Sequence, residues 1–429
     1  MQLKTYPKYK DSRTKWIGGI PDVWRIERYK IRFKYVKGKI PENPEEINEE
    51  GYLPYLNMEY LRGNEEGILY VYDPKSIKVN DGDLLLLWDG SNAGEFVLGK
   101  KGYLCSTMVK LNFKKINSNF SWYLCKSIEP LLRDLTIGMG IPHVSKDILE
   151  NIRIPIPDHK EQIAIANFLD KKTARGDALI EKDKKLIELL KEKRTALINH
   201  AVTKGLDPNV KMKESGIEWI GKIPEGWKTS RLRFLGDSII GLTYSPNDII
   251  EEGSNSNLIL RSSNIQNNKL SLHDNIYVNK KIPKKLITKK GDILICSRNG
   301  SRELIGKNIY IDDRTKGCSF GAFMMVYRTK YWRFMSLFFN SQVFKSQSGL
   351  FLTTTINQLT IGTLNNFYIA IPSNIEEQLA IASFLDKFTA RTDKTIQKIQ
   401  KKIKLLEEYK KSLIHHTVTG KIDVRGSEI

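Results

Sequence analysis

The chain repeats the stretch Ile154-Pro-Ile-Pro157 with Glu161-Gln-Ile-Ala-Ile-Ala-Asn-Phe-Leu-Asp170, and this repeat decides its fold. The second copy reads Ile369-Ala-Ile-Pro372 and then Glu377-Gln-Leu-Ala-Ile-Ala-Ser-Phe-Leu-Asp386. Self-similarity over a long interval is the sequence signature of a duplicated architecture. The sequence therefore predicts a chain that is built as two related halves.

A second repeated motif lies upstream of each copy. Trp16-Ile-Gly-Gly-Ile-Pro21 is followed by Trp24, and Trp219-Ile-Gly-Lys-Ile-Pro224 is followed by Trp227. The tryptophans and the proline keep the same spacing in both copies. Together the two motifs define a repeated frame on either side of two long inserts.

The inserts, roughly residues 25–153 and 228–368, agree only in scattered positions such as Gly82-Asp83 and Gly291-Asp292. Short runs typical of β-strands alternate in them with turns rich in Gly, Asn and Asp. This pattern predicts mixed α/β globular modules. The strands are expected at Asp83–Trp88, Gly291–Ile295, Asn308–Ile311 and Ala322–Tyr327.

The segments that follow the prolines carry apolar residues at heptad spacing, which predicts long helices that bury one stripe against a partner. Because such a helix cannot bury its stripe alone, the other copy is the expected partner. The two stripes are Leu179, Leu186, Leu190, Leu197 and Ala201, and Ile396, Ile399, Ile403, Leu406 and Leu413.

The composition favours a polyanionic partner. The chain has 69 basic and 49 acidic residues, a net charge of +20 and a pI near 9.5. A positive field of this size concentrates nucleic acid, although a lysine-rich surface alone gives the same balance. No apolar run is long enough for a membrane span and no leader is visible, so a cytoplasmic protein is expected.

Motifs for catalysis, cofactors and metals are missing from the sequence. Gly94 to Lys100 has the spacing of a phosphate-binding loop, but Lys101 stands where Mg²⁺ needs a hydroxyl, so a hairpin is the better interpretation. There is neither an Asn/Asp-Pro-Pro-aromatic tetrapeptide nor a Gly-x-Gly-x-x-Gly run. The four cysteines lack metal-ligand spacing and are predicted to be buried free thiols.

The two repeated motifs, with two variable inserts between them, closely resemble the specificity (S) subunit of type I restriction-modification enzymes. The resemblance covers essentially the whole chain. It implies an α+β fold in which two α/β target recognition domains are joined by two conserved helices packed as an antiparallel coiled coil, with a pseudo-two-fold repeat. The implied domains are residues 1–157 and 213–372 for recognition, and 158–212 and 373–429 for the central and C-terminal helical regions.

The resemblance also implies partners. Each recognition domain would read one half of an asymmetric bipartite target in double-stranded DNA, and two modification subunits and the restriction subunits would act there. The chain itself would hold no cofactor, since S-adenosylmethionine, ATP and Mg²⁺ belong to those subunits. The helices would fix the distance between half-sites, so lengthening the chain near Thr203 is expected to change the spacing.

Base contacts are expected from polar side chains in loops, because contacts to phosphates position a protein while contacts to base edges specify the sequence. Three pairs of loops are candidates: the turns after the Gly-Asp strands, the segments after the first strand of each insert, and Gly138–His143 with Thr353–Gln358. Hairpin turns that merely need positive φ are the alternative. The candidate residues are Trp88, Ser91, Asn92, Ser297, Arg298, Asn299 and Ser301 for the first pair, Asn57, Tyr60, Arg62, Arg261, Ser263 and Asn264 for the second, and Asn357 and Gln358 for the third.

Two functions of other classes stay open at this point. One is a self-contained methyltransferase or nuclease with a fused recognition half, which would need a catalytic domain. The other is a coiled-coil scaffold that contacts only protein, which predicts no dependence on DNA sequence.

Overall fold

The computed structural model describes residues 4–41, 44–46, 49–137, 140–266, 268–351 and 358–426. The contacts divide the chain into two compact units. Unit 1 contains residues 1–183 and 400–429, and unit 2 contains residues 184–399. Whereas the predicted boundaries follow the ends of the helical regions, the division between the units falls inside both long helices.

Unit 1 holds the first copy of the upstream motif, the first insert and the start of the first long helix. Its elements are β1 (Tyr9–Asp11), β2 (Gly19–Pro21), β3 (Arg25–Arg28), α1 (Tyr29–Arg32), β4 (Phe33–Lys37), β5 (Leu53–Leu56), α2 (Met58–Leu61), β6 (Tyr70–Val71), β7 (Lys78–Val79), β8 (Leu84–Leu87), β9 (Phe96–Leu98), β10 (Gly102–Leu104), β11 (Met108–Phe113), α3 (Ser118–Asp134), α4 (Lys146–Asn151), β12 (Arg153–Ile156) and the first part of α5 (His159–Lys204).

Unit 2 holds the second copy of the upstream motif and the second insert. Its elements are β13 (Met212–Glu214), β14 (Lys222–Pro224), β15 (Trp227–Arg231), β16 (Asp237–Ile240), β17 (Ile249–Ile250), β18 (Asn257–Leu260), β19 (Ile265–Gln266), β20 (Lys269–Leu270), β21 (Ile276–Val278), β22 (Ile293–Cys296), β23 (Asn308–Tyr310), β24 (Ser319–Phe320), β25 (Met324–Arg328), α6 (Trp332–Phe339), α7 (Gln342–Phe351), α8 (Ile361–Asn365), β26 (Tyr368–Pro372) and the first part of α9 (Ile375–Val418).

The antiparallel sheets of the two inserts have the same strand order, and their second sheets share one parallel strand pair. The antiparallel sheet β4-β11-β8-β9 of unit 1 corresponds to β16-β25-β22-β23 of unit 2. In the second sheet of each unit, β5 pairs in parallel with β10, as β18 does with β24. The repeat therefore extends through the inserts, although their sequences agree only in scattered positions.

The shared Gly-Asp pairs precede the central strands of the antiparallel sheets. Gly82-Asp83 comes before β8, Gly291-Asp292 comes before β22, and both glycines have positive φ, of 82° and 87°. The Asp83 carboxylate pairs with Lys110 at 2.6 Å, and the Asp292 carboxylate pairs with Arg328 at 2.7 Å. The strands predicted after these pairs are confirmed by β8 and β22. The positive-φ turn and the ion pair occur in both units.

The strands that connect each insert to the frame pair with each other. In unit 1, β3 pairs with β12, and Arg28 lies opposite Arg153. In unit 2, β15 pairs with β26, and Arg231 lies opposite Tyr368. The first and last strands of each module are therefore held side by side by backbone hydrogen bonds.

The long helices pair in an antiparallel manner, as predicted. Within unit 1, Asp177 of α5 pairs with Lys410 of α9 at 2.7 Å, and Asp183 pairs with Lys402 at 2.8 Å. Residue numbers thus rise along one helix and fall along the other. Each unit contains one part of each helix, since α5 runs to Lys204 and α9 begins at Ile375.

The first part of the buried stripe of α5 differs from the predicted one by a single position, whereas the predicted Ala201 is buried. Leu179 and Leu186 are 38% and 43% exposed, whereas Ile180 and Ile187 are buried. The sequence offers an apolar pair at each place, and heptad spacing alone does not choose between its members. On α9 the predicted Ile396, Ile399 and Leu413 are buried.

One predicted strand begins too early. The run Ala322–Tyr327 was expected to be a strand, but β25 begins at Met324. Gly321, Ala322 and Phe323 form the turn that enters it, closed by a hydrogen bond from the Met324 N–H to the Gly321 carbonyl of 2.8 Å. Phe323 therefore lies in a turn, where its side chain is 60% exposed.

The two repeated motifs contact each other within each unit. The Trp24 indole N–H donates to Glu161 Oε2 at 2.8 Å, and the Trp227 indole N–H donates to Glu377 Oε1 at 2.8 Å. In unit 1 the Tyr6 hydroxyl donates to the other Glu161 oxygen at 2.7 Å, and burial together with this carboxylate raises the pKa of Tyr6. The motifs recur together because one supplies the donor and the other the acceptor.

We expect Trp24→Phe to destabilise unit 1 by about 2 kcal/mol, since it removes a hydrogen bond to a charged group and leaves a carboxylate oxygen unpaired. Trp227→Phe is the matched variant in unit 2 and should cost less, because Glu161 is 5% exposed while Glu377 is half-buried. Thermal unfolding of both variants measures the difference. Equal losses would show that the hydrogen bonds do not set the cost.

The described residues contain no helix that is long and apolar enough to cross a membrane.

Candidate nucleic-acid interface

Three of the backbone hydrogen bonds that hold the turn after the Gly-Asp strand of unit 1 define its position. The N–H groups of Trp88 and Asp89 both donate to the Thr107 carbonyl, at 2.8 and 3.2 Å. On the other side, the Val144 N–H donates to the Trp88 carbonyl at 2.9 Å. Asp89 also forms an isolated bridge with His143. These bonds fix the turn between Thr107, which precedes β11, and the segment of His143 and Val144.

Unit 2 builds its turn with the same three bonds. The N–H groups of Ser297 and Arg298 donate to the Phe323 carbonyl, at 2.9 and 3.1 Å, and the Leu359 N–H donates to the Ser297 carbonyl at 2.7 Å. Arg298 forms an isolated bridge with Gln358, as Asp89 does with His143. Two equivalent backbones therefore carry different side chains, in the place where loops for base recognition were predicted.

Side chains of the first candidate pair divide into exposed and buried groups. Ser91, Arg298 and Ser301 are exposed. Ser297 is 1% exposed and donates its hydroxyl to the Phe323 carbonyl, and the buried Trp88 ring stacks on Tyr35 at 5.1 Å. Ser297 and Trp88 therefore support the turn from inside, contrary to the expectation that they face DNA.

The amides of the first pair join neighbouring loops. Asn92 is half-buried and accepts a hydrogen bond from Arg133 at 3.1 Å. Asn299 donates to the Ser262 hydroxyl at 3.3 Å. The Arg298 guanidinium donates to Gln358 Oε1 at 2.6 Å, which joins the first and third candidate loops in unit 2.

In unit 1 the second candidate segment forms the short helix α2. Asn57 caps it by accepting from the Tyr60 N–H at 2.8 Å. The Lys100 ammonium lies 4.6 Å from the centre of the Tyr60 ring. The exposed Arg62 pairs with Glu95, of the segment between Asn92 and β9, at 2.7 Å. This segment therefore lies against the same hairpin as the first candidate turn.

In unit 2 the second candidate segment is a short 3₁₀ turn. Asn264 is fully buried, accepts from the Arg261 N–H at 2.9 Å and donates to the Ser271 carbonyl at 3.0 Å. Its polar groups are satisfied inside the protein, so its predicted place in the interface is wrong. Arg261 is half-buried and pairs with Asp274 at 2.8 Å, and Ser263 is half-buried beside it.

The third candidate pair is described in part. Gly138 and the stretch Thr353 to Asn357, with the predicted Asn357, lie outside the described residues. Gln358 is described and half-buried. The structure thus brings all three loops of unit 2 together through Arg298, Asn299 and Gln358.

Sequence reasoning missed Phe323, because the expected strand would have placed it within a sheet. Its counterpart by hydrogen bonding is Thr107 in unit 1. The signal that could have found it is Gly321, since a glycine shortly before a strand suggests a turn. An exposed aromatic side chain beside Arg298 adds a stacking surface to the polar loops.

The described residues show no group of three or more His, Cys, Asp or Glu side chains that could hold a metal ion. Cys105, Cys125 and Cys296 are buried free thiols, as predicted, and Cys318 is half-buried. Burial raises the pKa of the Cys125 thiol to about 12, and the pKa of each of the other three is also raised by burial. Thiols of raised pKa are weak nucleophiles at neutral pH. The run Gly94 to Lys100 belongs to the β8–β9 hairpin, as predicted, and does not form a phosphate-binding loop.

Comparison with known proteins agrees with this architecture. The family model described as type I restriction modification DNA specificity domain matches residues 30–189 and 224–405. The chain is 34% identical over 434 residues to the type I restriction enzyme MjaVIII specificity subunit of Methanocaldococcus jannaschii, covering 97% of each protein. It is 29% identical to the EcoKI specificity subunit of Escherichia coli strain K12, over 47% of this chain and 44% of that one.

Solved structures share the fold. A chain from a structural study of the assembly and conformational transition of the type I R-M system matches with a TM-score of 0.66 at 17% identity, over 94% of this chain and 99% of that one. The HsdS subunit from Thermoanaerobacter tengcongensis matches with a TM-score of 0.52 at 16% identity, over 94% and 98%. With the shared strand order of the antiparallel sheets in the two inserts and a relative covering almost the whole length, the chain belongs to the type I restriction modification DNA specificity family.

Proposed function

We propose that the chain is the sequence-specific DNA-binding subunit of a type I restriction-modification complex, and that each unit reads one half of an asymmetric bipartite target. The observation that carries this proposal is the pair of equivalent turns, Trp88–Asn92 and Ser297–Ser301, whose backbones are held alike and whose side chains differ. A duplicated backbone with unlike side chains suits two unrelated half-sequences, whereas identical halves would read a palindrome.

The donors of unit 2 suit the major groove. The Arg298 guanidinium presents paired N–H groups of the kind that bind the O6 and N7 atoms of guanine, and an amide such as Gln358 matches adenine. In the structure these two side chains bond to each other at 2.6 Å, so each is held in place before DNA arrives. Unit 1 offers the exposed Ser91 and Arg62 in corresponding loops.

The same proposal assigns the chemistry to partners. Two modification subunits would bind, one for each copy of the frame, and restriction subunits would act with them. They would supply the sites for S-adenosylmethionine, ATP and Mg²⁺. This chain would work in the cytoplasm and catalyse no reaction. The absence of catalytic motifs from the sequence supports this division of roles. If the measured mass of the complex corresponded to a single modification subunit, the proposal of one modification subunit for each copy of the frame would be contradicted.

The test of the proposal is competition between duplexes. Methylation mapping of the host DNA first identifies the target, and a gel shift then compares that duplex with a random one over a range of salt concentrations. We expect steep salt dependence for both duplexes and preference for the target. A scaffold that contacts only protein would show no preference. Methyl transfer or cleavage by the purified chain alone would show instead that it carries its own catalytic site.

Arg298→Ala is expected to reduce discrimination at one base pair of the half-site of unit 2 by about 1–3 kcal/mol, because it removes a paired donor. Arg314→Ala is the matched control. Arg314 is exposed and pairs with Asp312, beyond the end of β23 opposite to the Ser297–Ser301 turn. Competition with duplexes that differ by one base pair measures the effect. Equal weakening on all duplexes would place Arg298 on phosphate.

A further inference from the structure

Phe323 is an apolar side chain held on the proposed DNA-binding face of unit 2. Its ring is 60% exposed, while its carbonyl accepts from the N–H groups of Ser297 and Arg298 and from the Ser297 hydroxyl. The Arg298 guanidinium carbon lies 5.7 Å from the ring centre. The backbone is thus fixed within the recognition turn, and the side chain projects from it into water.

A cavity of about 600 Å³ opens beside this ring. The volume lies within the range of binding sites for small molecules, about 300–1,000 Å³. Its walls are mostly apolar, with a few hydroxyl groups and one guanidinium. The lining used in the argument comprises Tyr244, Pro246, Ile249, Ser262, Ser263 and Phe323.

Two of the residues that line this cavity each carry a buried polar atom without a partner. Neither Ser263 Oγ nor Arg261 Nε has a hydrogen bond within the described ranges, although both atoms are buried. A buried polar atom without a partner costs free energy, and a ligand in the cavity could supply the missing bond once these side chains turn towards it. Ser263 can donate or accept, and Arg261 can donate.

The cavity is continuous with the predicted recognition loops. Asn299 donates to Ser262, a lining residue, at 3.3 Å, and Phe323 itself supports the Arg298 turn. The Lys307 ammonium donates to the Ser262 carbonyl at 3.5 Å, and the Lys280 ammonium donates to the Thr243 carbonyl at 3.2 Å and pairs with Asp248 at 3.5 Å, so two lysines contact residues that line the cavity. A polyanion with planar aromatic groups fits these surroundings better than an apolar peptide does.

We propose that one base of the half-site read by unit 2 leaves the duplex stack and enters this cavity, while Phe323 contacts the stack that it leaves. This inference rests on the proposed function. Apolar side chains that wedge between base steps and pockets that take an extruded base both occur in DNA-binding proteins. The Ser263 and Arg261 side chains would turn towards the edge of the base and bond to it, and the face of the base would lie against Tyr244. Unit 1 has Thr107 at the position of Phe323, so the device belongs to one half-site only.

The test uses the purified full chain without partner subunits, so that no methyltransferase can extrude a base. Duplexes carry the mapped target with an abasic nucleotide placed opposite each base of both half-sites in turn. Removing the opposing base lowers the cost of extrusion. We therefore expect binding to become about tenfold tighter at one position in the half-site of unit 2 and at none in that of unit 1.

Two variants and a control complete the design. Phe323→Ala removes the wedge, and Ala322→Leu narrows the cavity while keeping the wedge. Each is expected to bind the intact target about tenfold more weakly, as for the loss of one base-aromatic stack, and to lose the position-specific gain. Phe234→Ala should change neither, because Phe234 is 70% exposed but precedes β16, at the end of the sheet opposite to Phe323.

The outcomes separate the two proposals. Specific binding with no tighter position would overturn the extrusion and leave the proposed function intact. Absence of any preference for the target would overturn the proposed function itself. If Phe323→Ala keeps the whole binding profile but loses co-purification with modification subunits, the ring contacts protein and the inference is wrong.

Discussion

Four residues added to each long helix at the boundary between the units are expected to lengthen the spacer of the DNA target by about one to two base pairs. Four helical residues add about 6 Å, and a base pair of duplex adds about 3.4 Å. Both half-sequences should stay unchanged, because the candidate loops lie in the inserts. Duplicating residues 184–187 and 396–399 keeps a buried isoleucine in each added turn. Methylation mapping of the variant reads the spacer directly.

The effect of the insertion depends on where it is made. The sequence suggested a site near Thr203, whereas the structure favours the boundary between the units. Thr203 lies next to Ala201 and Val202, which are buried in the core of unit 2. A duplication of residues 200–203 should therefore destabilise that unit instead of changing the spacer, which makes it the matched control. A variant of residues 184–187 and 396–399 that reads a new half-sequence at the old spacing would refute the division between frame and inserts.

Exchange of residues 232–367 for the corresponding insert of another family member should change one half-sequence completely and leave the other half and the spacer as they are. These limits follow from the structure, since β15 and β26 stay with the frame and keep their pairing. The sequence alone suggested residues 228–368, which would cut into both strands. Methylation mapping again gives the result.

The matched exchange in unit 1 replaces residues 29–152 and keeps β3 and β12. It should alter the other half-sequence only. If either exchange changes both half-sequences, or lengthens the spacer, the two units do not read DNA independently. Stability of the hybrids, followed by thermal unfolding, distinguishes an altered specificity from a failure to fold.

The frame was predictable because its residues work in pairs at long range. Trp24 with Glu161 and Trp227 with Glu377 recur in the sequence at fixed positions, and the structure shows the hydrogen bond that each pair makes. Because each tryptophan needs its glutamate as hydrogen-bond partner, both motifs can be recognised in both halves of the sequence. The first part of the α5 stripe was predicted with an error of one residue, since Leu179-Ile180 offers two apolar side chains and packing selects the second.

The interface was predictable at the level of loops and not of side chains. Polar residues in turns can support the turn or face a ligand, and the same residue types serve both roles. Ser297 and Asn264 serve the turn from inside, whereas Arg298 and Ser301 are exposed. Burial of this kind depends on neighbours that are distant in sequence, such as the Phe323 carbonyl and Ser271.

The side-by-side pairing of β3 with β12 and of β15 with β26 has an evolutionary consequence. The two ends of each module are held about 4.8 Å apart, which is the distance between paired strands, so a module with the same end separation can be joined to the frame without moving it. Genetic recombination within the codons of these strands can therefore replace one module, provided that the new module keeps contacts to the long helices such as those of Tyr123 with Asp170 and Gln342 with Asn199. New DNA specificities can then arise by combining existing modules, with one crossover near each end of an insert.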